Sequence, residues 1–276
     1  MTRVAPNIQA YWQGRELGRY ACIDVLGEGG AGIVVRARDR LCGREVAIKL
    51  PRLLPPPAAA RRWIVRARLL REAEALRVAR HPNVVGLHEV VVADGLVYLV
   101  MPVLDAAPLD RRRVTWRAGL AVGLQIGAAL ASVHAAGLVH RDVAPRNVLV
   151  AASGRAWLID FGLARALGPS AADEDSFAAL ALTGSGPGPG TRRFVAPEQR
   201  RGEVVDGRAD QYGLCATLWR CITGAAPGEG PGVDDLATAL PERLARVLRR
   251  GLAERPEQRH GDMRALVAAL AGCGPT

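Results

Sequence analysis

The 276-residue chain has almost no lysine: Lys49 is the single one, and the other 36 of its 37 basic side chains are arginine. Phenylalanine is nearly as scarce, with 3 residues, and aromatics make up only 4%. Single-stranded nucleic acid is bound by aromatics interleaved with basic clusters, and no basic cluster here interleaves with aromatics, so no nucleic-acid partner is expected despite a formal charge of +10. The charge reads instead as one compositional bias, because Arg, Ala, Gly and Pro are abundant together and the arginines are spread along the chain. The densest run, Arg111-Arg112-Arg113, reads as a solvated face or loop. No Cys-x-x-Cys pair and no zinc-spaced histidines accompany Cys22, Cys42, Cys215, Cys221 and Cys273. That fits reduced thiols, and hence an expected cytoplasmic location, better than a disulfide framework. The start, "MTRVAPNIQAYWQG", lacks the apolar run of a signal peptide. The longest uncharged stretch, Ala118 to His140, is long enough to span a bilayer. It is rich in small Ala, broken by Gly, and carries Gln125, Ser132 and His134, so it reads as a buried helix and no membrane span is expected.

What is present is ample apolar material, 49% of the chain, enough for one large domain or two modest ones. Residues 16–50 carry three short β-like runs, "RYACIDVLG", "AGIVVRARD" and "REVAIKL", separated by turns, which predicts an antiparallel meander. Pro-rich sequence then stops the strand, and "ARRWIVRARLLREAEALRVAR" predicts a helix ending before His81-Pro82. Two further strands, "VVGLHEVVV" and "LVYLVMPV", are expected around an Asp94-Gly95 turn. From Leu109 onward the pattern is mostly helical, interrupted by a hairpin in "NVLVAASGRAWLID". "GSGPGPGT", Gly184 to Thr191, is too rich in Gly and Pro to be regular and is expected to be mobile. These signals predict an α+β chain with a small β-rich half and a larger helical half.

Five motifs follow one another in order. "LGEGGAGIVV" places Gly27, Gly29 and Gly32 before Val34 as G-x-G-x-x-G-x-V. Alone this fits an ordinary hairpin or a dinucleotide fold, but here a strand follows rather than a helix. A strand–Gly–strand flap brings backbone N–H groups over phosphates. Lys49 ends "VAIK" fifteen residues past Val34, and the helix downstream offers Glu72 and Glu74 as ion-pair partners; Glu72 is favoured and Glu74 is expected to face solvent. "HRDVAPRN" supplies His140, Arg141, Asp142 and Asn147, and Asp160-Phe161-Gly162 begins eighteen residues after Asp142. "GTRRFVAPE" then gives Thr191 and Ala196-Pro197-Glu198.

In this order the motifs resemble those of the eukaryotic-like (Hanks-type) Ser/Thr protein kinases of bacteria, over residues 16–270. The resemblance implies a two-lobed kinase fold with ATP at the hinge: an extension over 1–15, an N-lobe over 16–103 and a C-lobe over 104–276. It implies ATP and Mg²⁺, with transfer of the γ-phosphoryl group to Ser/Thr hydroxyls of protein substrates whose identity is open. It implies that the flap from Leu26, with Gly27, Gly29 and Gly32, covers the phosphates, and that Lys49, held by Glu72, binds α/β-phosphate oxygens. Met101 takes the gatekeeper position, Pro102 and Leu104 the hinge, and Val34, Ala47 and Leu149 the adenine sandwich. Asp142 accepts the hydroxyl proton, while Asn147 and Asp160 bind magnesium through oxygen. Glu198 is expected to pair with Arg259, and Asp210 to hold the catalytic-loop backbone, both for stability.

The sequence also departs from the family pattern. Ser/Thr kinases carry Lys two residues after the catalytic Asp, where this chain has Ala144; Arg146 is expected to supply the missing cation. Arg at that place is a tyrosine-kinase feature, but Thr191, seven residues before Glu198, favours Ser/Thr specificity. Ser170, Ser176, Thr183 and Ser185 are candidate phosphosites for autophosphorylation, with Arg68, Arg141 and Arg165 as a candidate basic pocket. The acidic triplet Asp173-Glu174-Asp175 is a candidate occupant of that pocket. Gly- and Pro-rich sequence after Thr223-Gly224 leaves little room for a substrate-docking helix. Any regulator is expected on another chain. The competing readings are a pseudokinase that binds ATP as a scaffold, favoured only by Ala144, and a small-molecule phosphotransferase, opposed by the Gly-Thr and Ala-Pro-Glu features.

Overall fold

The structure, a computed structural model, describes residues 8–29, 32–51, 59–93, 96–111, 113–166, 192–225 and 240–274. Its contacts divide the chain into two units, Met1–Glu74 with Gly86–Leu104, and Ala75–Val85 with Asp105–Thr276. The N-terminal unit runs α1 (Ile8–Trp12), β1 (Glu16–Leu17), β2 (Tyr20–Gly29), β3 (Gly32–Asp39), β4 (Glu45–Leu50), α2 (Ala59–Val78), β5 (Glu89–Ala93) and β6 (Leu96–Pro102). Its six strands form one antiparallel sheet in the order β1-β2-β3-β4-β6-β5.

Alternation of side chains gives this sheet two different faces. Ile33, Val35 and Ala37 of β3 pack with Val46, Ile48 and Leu50 of β4 and with Tyr98 and Val100 of β6. Full burial of a side chain such as Ile48 or Leu50 contributes about 1.5–3 kcal/mol. The intervening residues face the other way, because the strand period is two. Register sets Val34 opposite Lys49, Lys49 opposite Leu99, and Ala47 opposite Met101, so these five share the second face. Leu99 packs there against Leu69 and Ala73 of α2. The first face is closed by α1, where Trp12 is buried among the β3 and β4 side chains. Residues 8–12, expected only as an extension, therefore belong to this unit's core.

Within the flap, the three glycines do different work. Gly32 has φ +137°, and a Cβ there would overlap the backbone carbonyl of Leu50. A Cβ at Gly27 or Gly29 would meet nothing within 4 Å. Gly32→Ala is thus expected to destabilise the chain by about 2 kcal/mol, and Gly29→Ala by no more than about 0.5 kcal/mol. Urea midpoints of the two variants check this; equal shifts would contradict the assignment.

The C-terminal unit carries β7 (Ala107–Pro108), a 3₁₀ turn at Leu109–Arg111, α3 (Trp116–Ala135) and β8 (Leu138–Val139). A second 3₁₀ turn at Pro145–Asn147 precedes β9 (Val148–Val150), β10 (Ala156–Leu158) and β11 (Arg165–Ala166). After a third 3₁₀ turn at Arg192–Phe194 come α4 (Pro197–Arg201), α5 (Arg208–Thr223), α6 (Glu242–Gly251) and α7 (Met263–Ala271). Thr115 caps α3 by accepting from the Ala118 N–H at 3.3 Å. By length and composition α3 is the one helix among the described residues that would pass for a membrane span. Its glycines explain why it is instead a core helix. A Cβ at Gly119, Gly123 or Gly127 would stand 2.7, 2.7 or 2.6 Å from Ile222, Leu218 or Val267. Spaced four apart, the glycines form a stripe into which α5 and α7 press. The hairpin expected after Asn147 is β9–β10, with Gly154 at φ +83° in its turn.

The strand expected to begin at Val84 begins at Glu89. Val84 and Val85 are spent elsewhere: Val84 bridges in parallel to Leu158, and the Val85 N–H donates to the Leu158 carbonyl at 3.0 Å. The expected Asp94-Gly95 turn, the stretch 184–191 and most of the segment after Gly224 lie outside the described residues.

Candidate active site

In the N-terminal unit the central feature is an ion pair. Lys49 reaches the second sheet face because β4 alternates, and Glu72 reaches it because it lies one helical turn past Leu69. Lys49 Nζ stands 2.6 and 2.7 Å from the two carboxylate oxygens of Glu72. Both residues are buried, Lys49 at 5% and Glu72 at 2% exposure, whereas Glu74 is exposed. A buried charge pair is kept only when each partner is satisfied. Met101 is buried on β6 opposite Ala47, and Pro102 pairs with Val46. Leu104 is half-buried at this unit's end, and Leu26 sits exposed at an irregularity of β2. Arg68 is half-buried on α2.

In the C-terminal unit, Asp210 of α5 organises the loop. Its carboxylate accepts the backbone N–H of His140 at 2.9 Å and of Arg141 at 2.8 Å, and pairs with His134 Nε2 at 2.8 Å. Arg141 has φ +66°, a left-handed conformation that costs a non-glycine residue roughly 1–3 kcal/mol. Asp210 fixes it from the N–H side, and Gln199 Nε2 donates to the Arg141 carbonyl at 2.8 Å. Burial alone would raise the Asp210 carboxyl, but His134 and the backbone donors outweigh it and hold it below the usual aspartate value. A carboxyl lowered on folding contributes stability above its unfolded value, about pH 4, and loses that contribution as pH falls through the folded value. Asp210→Asn is therefore expected to cost about 3 kcal/mol at pH 7 and to remove this part of the acid destabilisation. Urea midpoints at pH 7 and near pH 3 check it, and an unchanged midpoint at pH 7 would contradict the clamp.

His140 passes this order on. Its Nδ1 accepts the Asp142 N–H at 3.2 Å, so its Nε2 carries the proton and donates to the Ile159 carbonyl at 3.2 Å. The His140 ring meets Phe161 edge-on, with centroids 4.7 Å apart. Asp160, between these contacts, has φ +63°. Gly213 of α5 completes the support, since a Cβ there would lie 2.7 Å from the Val143 carbonyl oxygen.

Asp142 is the focus of the loop. Asn147 Nδ2 donates to the Asp142 backbone carbonyl at 2.8 Å and to its Oδ2 at 2.9 Å. Arg146 Nη2 donates to both Asp142 carboxylate oxygens at 2.8 Å. Burial raises the Asp142 carboxyl above the usual aspartate value; Arg146 pulls against this and Asp160 adds to it. The sequence carries no signal for the Arg146–Asp142 pairing. An i,i+4 spacing carries such a signal on a helix, but this segment is a loop and a 3₁₀ turn. Arg146 keeps 38% of its side chain exposed, while Ala144, at the place expected for Lys, is buried.

Glu198 and Arg259 form a bidentate pair, with both N–O distances 2.7 Å. Arg259 also donates to the carbonyls of Arg208, Ala253 and Glu254, which satisfies a fully buried guanidinium. Leu149 lies half-buried on β9, and Arg165 pairs across β11–β8 with Val139, two residues before Arg141. Thr191, the acidic triplet and the candidate phosphosites Ser170, Ser176, Thr183 and Ser185 lie outside the described residues.

A family model, the protein kinase domain, matches residues 20–270. The chain is 34% identical over 267 residues to the serine/threonine-protein kinase PknD of Mycobacterium tuberculosis, covering 89% of this chain and 38% of that one. It is 34% identical over 284 residues to PknE of the same species, covering 94% and 47%. It is 36% identical over 265 residues to the DNA damage-responsive serine/threonine-protein kinase RqkA of Deinococcus radiodurans, covering 88% and 37%. The chain thus spans less than half the length of these curated relatives. Among solved structures, the M. tuberculosis PknI kinase domain matches with a TM-score of 0.67 at 28% identity, covering 94% of this chain and 97% of that one. The β-rich and helical units accordingly have the protein-kinase fold that the motifs implied.

Proposed function

Since the chain belongs to the protein kinase family, we propose that it transfers the γ-phosphoryl group of ATP to Ser or Thr hydroxyls of protein substrates. The observation that carries this is the Asp142 carboxylate, half-buried and held by Arg146 and Asn147. Phosphoryl transfer demands little covalent work; it demands alignment and charge neutralisation. In the C-terminal unit, Asp142 orients the substrate hydroxyl and takes up its proton. Arg146 fixes that carboxylate and adds the positive charge that Ala144 does not.

The donor set fits magnesium. Asn147 spends its Nδ2 on Asp142, which assigns that atom as nitrogen and leaves the amide oxygen as the ligand atom. With Asp160 this gives two hard oxygens, and no group of three or more His, Cys, Asp or Glu able to hold a metal occurs among the described residues. That is the set expected where phosphate and water complete the coordination. When bound, the ion neutralises charge on the phosphate oxygens. In the N-terminal unit, Lys49 binds α/β-phosphate oxygens while Glu72 sets its position. Gly27, Gly29 and Gly32 cover the phosphates, and Val34, Ala47, Met101, Pro102, Leu104 and Leu149 serve the adenine. Ser/Thr specificity is supported by the names of the relatives and by Thr191.

A second reading, an ATP-binding scaffold without turnover, draws on Ala144 and on the occupation of both Asp142 oxygens by Arg146. The test is incorporation of γ-labelled phosphate into a generic protein substrate with Mg²⁺, comparing the native chain with Asp142→Asn. Labelling by the native chain alone supports the kinase. Equal labelling by both overturns it, and ATP binding without labelling by either establishes the scaffold.

A further inference from the structure

Beside the catalytic loop lies a cavity of about 500 Å³, a size typical of ligand pockets. Four stretches far apart in sequence line it: Asp110, Arg111 and Arg113 before α3, Ala144 to Arg146 in the loop, Phe194, and Arg220 with its neighbours at the end of α5. Four of these side chains are arginines and one is an acid. Arg111 and Arg113, from the run expected to be a solvated face or loop, are exposed as expected and also line this pocket. Arg113 donates to the Thr223 carbonyl at 2.9 Å and Arg220 donates to the Gly224 carbonyl, so both guanidinium groups are anchored through backbone. No carboxylate among the described residues lies within ion-pair distance of Arg111, Arg113 or Arg220. The exposed guanidinium groups of Arg111, Arg113 and Arg220 crowd like charge around one cavity, and the guanidinium fork is suited to carboxylate and phosphate. The cavity has the lining chemistry of an anion site.

Its position says which anion. Arg146 belongs both to the cavity wall and to the Asp142 pair. A peptide that presents a hydroxyl to Asp142 spans about 3.3–3.6 Å per residue, so its near neighbours fall beside Arg146. We propose that this cavity selects protein substrates carrying an anionic side chain, carboxylate or phosphate, close to the phosphorylated Ser or Thr. The proposal rests on the kinase reading above. Buried Ala144 is a small lining residue of the same cavity.

The experiment uses four Ser peptides, flanked by Asp/Glu, by phosphoserine, by neutral residues or by arginine. The native chain is compared with Arg111→Glu/Arg220→Glu, and with Arg111→Gln/Arg220→Gln in case charge reversal disturbs folding. The native chain is expected to favour an anionic peptide over the neutral one by about tenfold in kcat/KM, less at high salt. Both variants are expected to lose that preference and keep the rate on the neutral peptide. The faster of the two anionic peptides identifies carboxylate or phosphate as the source. Equal rates on all peptides, a preference for the arginine peptide, or a preference unchanged in the variants would each overturn the proposal. If the native chain labels no peptide, the kinase reading fails, and fluorescence anisotropy of the anionic peptides decides the cavity separately. Weaker binding by the variants upholds the anion site, and equal binding overturns it.

Discussion

Asp142→Asn is expected to lower phosphoryl transfer about 10³-fold while ATP affinity stays within about twofold. The substitution keeps size and shape. Its amide oxygen can take the place of Oδ2, which accepts from both Arg146 and Asn147, while its amide nitrogen at the Oδ1 place gives up one contact to Arg146, a side chain exposed enough to turn to water. What it removes is the capacity to take a proton from the substrate hydroxyl, and the negative charge that aligns it. The fold has no stake in that charge. Burial raises the Asp142 carboxyl, so the folded chain carries the ionised form at a cost rather than a gain at neutral pH. The variant is therefore expected to melt no lower than the native chain. Labelling kinetics and a thermal scan on the same preparation check both halves. Turnover within tenfold of native would show that Asp142 is not the base, and a clear loss of stability would show that its role is structural.

The second large effect is at Lys49. Lys49→Arg is expected to keep the charge and lose about 10²-fold or more of activity. Lys49 is 5% exposed and fits both oxygens of Glu72 with a single nitrogen. A guanidinium is planar and bulkier, and overpacking at such a site costs about 1–3 kcal/mol. It also places charge on three nitrogens where the site offers room for one. Lys49→Met separates fold from function. It strands the Glu72 charge, which costs about 3–5 kcal/mol. Adding Glu72→Gln neutralises that charge and is expected to restore most of the stability and none of the activity. Urea midpoints and labelling of the three variants provide the check; recovery of activity in the double variant would contradict the role. Because Lys49 is the only lysine, amine-reactive labelling of the side chain reports on one site, and ATP is expected to protect it.

Local patterns made much of the fold legible. The meander of β2, β3 and β4 followed from short apolar runs and turns, because strand alternation is written residue by residue. The same alternation set Val34, Ala47 and Lys49 on one face. Motif order then identified Asp142, Asn147 and Asp160 as candidates, and the compositional bias made the lone lysine conspicuous. Less legible were features that depend on contacts between distant segments. Trp12 looked like part of a loose extension, because nothing nearby in sequence shows that a sheet face awaits it. The glycines of α3 looked like mere interruptions until α5 and α7 were seen pressed against them. Val84 and Val85 have strand-like side chains, but their backbone is engaged by Leu158, more than seventy residues on.

The sequence by itself determined the family, the order of the motifs and the residue types that serve phosphate, metal and proton. These are chemical requirements, and each residue type meets its own wherever the chain folds. Only the tertiary structure decided how those residues are held and what lies beside them. It turned Arg146 onto Asp142, clamped Arg141 with Asp210, and gathered arginines from 111, 113, 146 and 220 around one cavity. Their charges interact through space, over separations that the chain order does not encode, and so a dispersed excess of arginine became a local demand for an anion.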